Sequence, residues 1–432
     1  MEEMNEMDGR GGTEGIRSDY DVVIVGARVA GASLAWELGR AGYRVLLADK
    51  SRFPSDVLST HNFFNNSVGM LREMGVLDRL LATGTPTYRR AYLRLEDAEI
   101  DGFFPEANGE TECLCVRRTH LDRILFEHAA SLPGVDARPN FRITGLLRSG
   151  GAVAGVEGTD SEGKPVRIPA RLVVGADGRR SIVRELAGSR RIVSVPTDFA
   201  SYVGYFEGFR QEGERCTEFY RIGETLAIAF PTSDDLHVIG LMFPLEWKDA
   251  LARMKENPEA GFREFVARGL GATSFPSRLK EAKRSGPIRG LLGYDNDWHE
   301  AMGPGWALAG DALSFKDPAV GQGMHDALLG ARLLRRILSS EPDWESRWDD
   351  MARRYEQELN DHFMPLFRMA CGMTRNVPLR PEQAAVNRLI GRHPEATSAF
   401  LGLYNHSRTP EELERIVGGL LRQAPQIDSG EG

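Results

Sequence analysis

The chain has 432 residues, and its 54 Lys and Arg against 62 Asp and Glu give a net charge of −8. That balance argues against a nucleic-acid surface, and the length leaves room for two or three domains around a large core. Its four cysteines, Cys113, Cys115, Cys216 and Cys371, form no CxxC pair and no metal-ligand spacing, so we expect reduced thiols, no metal site and a cytoplasmic protein. No apolar run is long enough to span a bilayer, and residues 1–18, acidic and glycine-rich, read as a disordered tail rather than a signal peptide.

The first predicted elements lie between residues 22 and 50. An apolar strand (Val22 to Val25) breaks at Gly26, a helix-period segment runs from about Ala30 to Arg40, and Gly42 closes it before a second strand, Val45 to Ala48. Asp49 and Lys50 follow. This is a nucleotide-binding βαβ unit. The turn Gly26-Ala27-Arg28-Val29-Ala30-Gly31 aims free N–H groups and the helix dipole at a pyrophosphate, while Asp49 can accept hydrogen bonds from a ribose. Gly26 and Gly31 hold the first and third glycine positions of GxGxxG, but Arg28 stands at the second, where a bare backbone normally approaches the phosphates. A guanidinium matches phosphate geometry, so Arg28 either contacts the pyrophosphate itself or obstructs it.

Cys113 and Cys115 alternate as strand neighbours, and Val116 to Asp122 reads as a helix start carrying Arg118. Residues 170 to 188 form an apolar strand ending in Gly175, then Asp177-Gly178 and a short helix. Residues 196 to 245 alternate with period two in four runs separated by turns, as antiparallel strands do. Tyr205, Tyr220 and Phe230 are the candidate walls of a substrate pocket on this sheet. Gly269-Leu270-Gly271 follows a helix and reads as its cap. Trp306 to Ala309 is another strand, followed by Gly310-Asp311, a loop with Pro318, and a helix opening around Gly321, Gly323 and Met324. The remainder is helical, with a capping box at Thr409 to Glu412 and a frayed tail at the last seven residues.

Taken in order, these segments resemble the group A flavin monooxygenases, the para-hydroxybenzoate hydroxylase-like family, and the related geranylgeranyl reductases. The resemblance covers roughly residues 19 to 335 and extends to a bacterial subgroup with a GARxAG turn, through Ser55 to His61 and Lys316 to Gly323. It implies an α/β fold in which a glutathione reductase-type FAD domain (19–190 and 291–335, with an insert near 85–115) interleaves with an antiparallel substrate domain (191–290), and helices complete the chain (336–432). It implies that Gly26, Gly31 and Asp49 bind the ADP half of FAD and that Arg118 meets its phosphates. Asp177 and Gly178 match the motif at the nucleotide cleft, and Gly310-Asp311 the motif whose Asp holds the ribityl chain. Pro318, Gly321, Gly323 and Met324 match the segment against the isoalloxazine ring. His61 falls on a loop near the flavin or its phosphates, where a structural hydrogen-bonder and a catalyst are both open readings. Lys316 reads equally as a steering cation or a solvated loop lysine.

The expected activity is that of a monooxygenase with non-covalent FAD. NAD(P)H reduces the flavin, O₂ adds, and a flavin hydroperoxide delivers oxygen to a flat aromatic or apolar small molecule. The reductant acts directly or through a separate flavin reductase, in a monomer or homodimer. No catalytic triad follows from this chemistry. His61, Tyr205, Tyr220 and His237 are candidate bases, and Pro318 is the flavin-facing loop residue. Three alternatives remain: an ene-reductase of the geranylgeranyl reductase type, a flavin-dependent halogenase, and a non-catalytic binding protein on the same fold. Halogenation is disfavoured because the six tryptophans form no WxWxIP segment.

Overall fold

The computed structural model describes residues 20–55, 57 and 59–423. Both expected tails, and Asp56 and Leu58 within the Ser55 to His61 loop, lie outside the described residues. Two sheets organise the chain. The first has eight strands, with Tyr20–Val25 at its centre between Pro165–Gly175 and Val45–Ala48, all parallel. Val135–Arg138 extends it in parallel on one side and Trp306–Leu308 on the other. These strands are almost continuously apolar because both faces are covered: Val22, Val23, Ile24, Leu46, Leu47, Leu172 and Val173 are fully buried. Val29–Arg40 packs against Arg118–Ala130 and Gly323–Ser339 on this sheet.

The second sheet has seven strands in the order Lys283–Leu291, Phe199–Glu207, Leu236–Pro244, Thr225–Thr232, Cys216–Ile222, Arg90–Leu95, Ala98–Phe103. The last two come from the stretch expected as an insert, and Cys216–Ile222 pairs with Arg90–Leu95 in parallel. One face packs on the helices Lys248–Glu256, Pro258–Leu270 and Phe275–Glu281. The other face packs with Phe64, Ala319 and the C-terminal helices Pro381–Arg392, Pro394–Tyr404 and Pro410–Gln423. The Thr409 capping box is reciprocal: Thr409 N–H donates to Glu412 Oε2 (2.9 Å) and Glu412 N–H to Thr409 Oγ1 (3.3 Å). A 26-residue helix, Trp348–Met373, lays Trp348, Met351, Tyr355, Leu359, Phe363 and Phe367 along one buried stripe. Its Tyr355 hydroxyl donates to the Leu308 carbonyl (3.1 Å), tying it to the first sheet. No helix among the described residues is long and apolar enough to cross a membrane.

Candidate functional site

The parallel strands end where the dispersed glycine motifs meet. Gly26 has φ 102°, and a Cβ there would lie 2.4 Å from the Ala176 carbonyl oxygen, so the turn after the first strand admits only glycine. A Cβ on Gly31 would lie 1.7 Å from the Gly26 carbonyl oxygen, which fixes the helix against the turn. Ala27 N–H donates to Asp49 Oδ2 and Ser51 N–H to Asp49 Oδ1, both at 2.8 Å. Asp49 therefore ties the turn to the end of the second strand, and its carboxylate keeps lone pairs for a ribose hydroxyl. Val29 is buried, Ala30 half-buried and Lys50 exposed. Arg28 is extended, immediately before the helix, and its Nε is buried with no partner among the described residues. Buried polar atoms are normally satisfied, so this nitrogen marks a place for an acceptor.

Arg118 opens its helix and is itself buried; Nε donates to Asp122 Oδ1 (2.9 Å) and Nη1 to Ser59 Oγ (3.3 Å). Burial raises the pKa of the fully buried Asp122, and Arg118 and Arg28 act against it. The carboxylate and the two guanidiniums thus share one corner beside Asp49. Asp122 was carried in the sequence pattern only as the end of a motif; here it orients Arg118. Asp177 Oδ2 accepts from Ile182 N–H (2.7 Å), whereas Oδ1 is buried and unpartnered among the described residues. Gly178 beside it has φ 82°. Gly310 has φ 60°, and a Cβ there would come 2.8 Å from Ala30 Cβ, so the Gly-Asp turn abuts the pyrophosphate turn.

Asp311 is exposed to solvent, yet surrounding protein raises its carboxyl pKa, opposed by Lys316 and Arg118. Arg179, which sequence reasoning passed over in the run after Asp177-Gly178, also acts on Asp311, and its guanidinium sits 5.2 Å from the Phe315 ring centroid. The Pro318–Val320 turn is held by Asp317, whose Oδ1 accepts from Ala319 N–H (2.8 Å), whose N–H donates to Asn296 Oδ1 (2.7 Å), and whose Oδ2 accepts from Tyr294 OH. Burial pushes Asp317 up to about 6, against the hydrogen bonds from Tyr294 and Ala319. Gly321 has φ 66°, while Gly323 begins its helix exposed, with no atom within 4 Å of where its Cβ would be. Met324 is half-buried.

Arg28, Asp177 and Asp311 stand just past the ends of three neighbouring parallel strands, Arg28 Nε and Asp177 Oδ1 are orphaned, and the helix that Gly323 opens packs against the Asp311 turn. Arg28 and Arg118 supply donors beside Asp122, and the Asp311 carboxyl group feels both Arg118 and Lys316. This set fits FAD: Arg28 and Arg118 would hold the pyrophosphate, Asp49 and Asp311 the hydroxyls, and the Pro318 to Met324 segment the ring.

His61 is 1% exposed, with its Nε2 3.4 Å from the Tyr205 hydroxyl and Nδ1 3.5 Å from Ser59 Oγ. Burial and then Arg118 lower its pKa to about 3, so the ring is neutral. Tyr205 and Phe230 face the inner side of the seven-stranded sheet with Phe64, Phe219, Ala319 and Tyr404. Tyr220 corrects the expectation. It lies on the opposite face, where its hydroxyl donates to Glu218 Oε2 (2.9 Å) and accepts from Arg278 (3.0 Å), and its ring meets Phe275 edge-on. The reason is strand alternation: Phe219 and Tyr220 are adjacent and must point apart. His237, edge-on to Phe209, is likewise removed from the inner face. Lys316 is also corrected, being 7% exposed and paired with Asp326 rather than solvated.

Residues 19–208 match the FAD binding domain family. The chain is 28% identical over 337 residues to 6-methylpretetramide 4-monooxygenase of Streptomyces rimosus, covering 74% of this chain and 75% of that protein. It is 23% identical over 339 residues to a 1H-pyrrole-2-carbonyl-[peptidyl-carrier protein] brominase of Pseudoalteromonas luteoviolacea, covering 76% and 80%. Among solved structures, the myxobacterial chondrochloren halogenase CndH superposes with a TM-score of 0.72 at 22% identity over 91% of this chain and 98% of that one. The chain thus carries a match to the FAD binding domain family over residues 19–208, and along about three quarters of its length it is similar to a monooxygenase and to a digeranylgeranylglycerophospholipid reductase.

Proposed function

We propose that this protein is an FAD-dependent monooxygenase that uses NAD(P)H and O₂ to hydroxylate or epoxidise a flat aromatic small molecule. The observation that carries the reading is the convergence of Tyr205, Phe219 and Phe230 with Phe64, Tyr404 and Ala319, the last lying in the loop assigned to the flavin ring. An aromatic-lined inner face against that loop favours a planar, apolar substrate. Bound FAD would supply the redox chemistry, accepting a hydride and activating oxygen. The chain's own part is to hold and orient. Arg28 and Arg118 neutralise phosphate charge, Asp317 holds the Pro318 turn, and the C-terminal helices cover the inner face and exclude water. His61, neutral and beside the Tyr205 hydroxyl, and Tyr205 itself are the two candidates that sit with the substrate wall; His61 would accept a hydrogen bond from Tyr205 or from a substrate hydroxyl and so orient it.

The similarity to the pyrrole brominase favours halogenation as the second reading. One assay separates them: purified protein with FAD, NADPH and a panel of phenols and polycyclic aromatics under ¹⁸O₂, with and without bromide. Substrate-dependent oxygen uptake and ¹⁸O in the product support hydroxylation. A halide-dependent halogenated product replaces that reading with the second. Label entering from water, or turnover of an alkene without oxygen, overturns both.

A further inference from the structure

The buried ion pair at the start of the helix Gly323–Ser339 has no part in the reading above. Lys316 donates to Asp326 Oδ2, and its Nζ lies 5.8 Å from the Phe363 ring centroid. His325 Nδ1 lies 3.2 Å from Asp326 Oδ1, and the His325 ring stacks on His406 with centroids 4.4 Å apart. His406 Nε2 reaches Gln322 Oε1 (3.1 Å), and Gln322 Nε2 donates to the Tyr404 carbonyl (2.9 Å). The charged and titratable groups around the lysine are therefore Asp311, Asp326, His325 and His406, with His362 and Cys371 from the long helix.

Both His325 and His406 are held neutral by burial, His406 with a pKa near 4, and Lys316 beside them carries its charge at neutral pH between the Asp326 and Asp311 carboxylates. Burying such a pair is costly, and hydrophobic residues of similar volume would stabilise the fold at least as well. A stability role does not account for it. Its position does: Lys316 precedes Pro318 and Asp326 follows Gly323, so the pair brackets the loop assigned to the isoalloxazine ring.

We propose that Lys316 is a positioning residue whose charge, balanced by Asp326, sets how readily flavin bound at the Pro318 to Met324 loop accepts negative charge. The inference rests on the assignment of that loop to the ring. Removing the lysine leaves the Asp326 and Asp311 carboxylates uncompensated beside the loop that would hold the ring; removing the Asp326 charge leaves the lysine with one carboxylate fewer. The two changes act in opposite directions, whereas damage to the fold would move both the same way.

Sulfite is the probe. It adds reversibly to oxidised flavin at N5, supplying both electrons of the new N–S bond, and the resulting negative charge settles on the pyrimidine side of the ring. Its dissociation constant is read from the loss of the flavin absorbance band. Measurements are made at pH 6.5, below the value of about 8 to which burial brings the lysine. Lys316→Gln weakens sulfite binding about tenfold, Asp326→Asn tightens it by a similar factor, and Lys316→Arg stays near the parent protein. Shifts of equal sign, or none, overturn the proposal. If Lys316→Gln does not fold, the sign for Asp326→Asn decides alone. Gly323→Val tests the underlying assignment separately. A Cβ at this position meets no protein atom within 4 Å, so loss of FAD affinity in a stable protein supports the ring's placement, and unchanged affinity overturns that placement and with it the proposal.

Discussion

Arg28 is the residue at which this turn departs from the usual glycine fingerprint, and the orphaned Nε gives the departure a physical meaning. A charge-assisted hydrogen bond to phosphate contributes roughly 1.5–3 kcal/mol, so Arg28→Gly is expected to weaken FAD binding at least tenfold and to flatten its salt dependence. A fluorescence titration at two ionic strengths checks both; tighter binding would mean that the side chain obstructs the cleft. Gly26 makes the contrasting case, because its constraint lies in the protein alone. Gly26→Ala forces a Cβ to 2.4 Å from the Ala176 carbonyl oxygen at φ 102°, and we expect a loss of roughly 1–3 kcal/mol. Calorimetry without FAD reads it directly, and an unchanged melting temperature would contradict the geometry.

Among the elements, the seven-stranded sheet separates its two faces one residue at a time. Tyr205 and Phe230 line the inner face while Tyr220 and His237 pack under the helices, so Tyr205→Phe is expected to alter the pH profile of turnover and Tyr220→Phe to leave that profile in place. Strand and loop histidines also carry a stability consequence. Burial lowers the pKa of His61 to about 3 and of His237 and His406 to about 4. In the unfolded chain they titrate near 6.5, so between those values the unfolded state binds more protons and stability falls as pH drops. Loss should begin near pH 6.5 and continue to about pH 4 for His237 and His406 and about pH 3 for His61. His237→Gln, far from the flavin cleft, should lessen that slope in urea melts taken from pH 7 to pH 4; a parallel curve would mean that the native ring is already protonated.

For the whole molecule, neither sheet is built from a continuous stretch of chain. The first draws on residues near 20, 45, 135, 170 and 306, the second on 90–103 and 199–291. The candidate FAD-binding residues lie at the strand ends of the first sheet, and Ala319 in the neighbouring loop packs into the core of the second. We therefore expect one cooperative unfolding transition that FAD shifts as a unit, by about 2.7 kcal/mol at a hundredfold excess over its dissociation constant. Two transitions in a calorimetric scan, with only one responding to FAD, would show that the sheets are energetically independent.

Much of this was legible in the residues. Local rules determined the first βαβ unit, because a glycine turn, a 3.6-period helix and an acidic strand end are each enforced by backbone sterics and burial within thirty residues. The same holds for the Gly310-Asp311 turn and the Thr409 cap. What local pattern lacks is the partner across space. Residues 90 to 103 read as an insert, and only strand pairing shows them completing the second sheet. Tyr220 had the composition of a pocket wall, but which face a strand residue takes depends on what covers the sheet. Lys316 had the look of a loop lysine until Asp326 and Phe363, ten and forty-seven residues away in sequence, enclosed it. Backbone conformation and hydrophobic periodicity are properties of neighbours in the chain, and the sequence by itself determined those; burial, charge pairing and the convergence of a cleft are properties of neighbours in space, which only the tertiary structure decided.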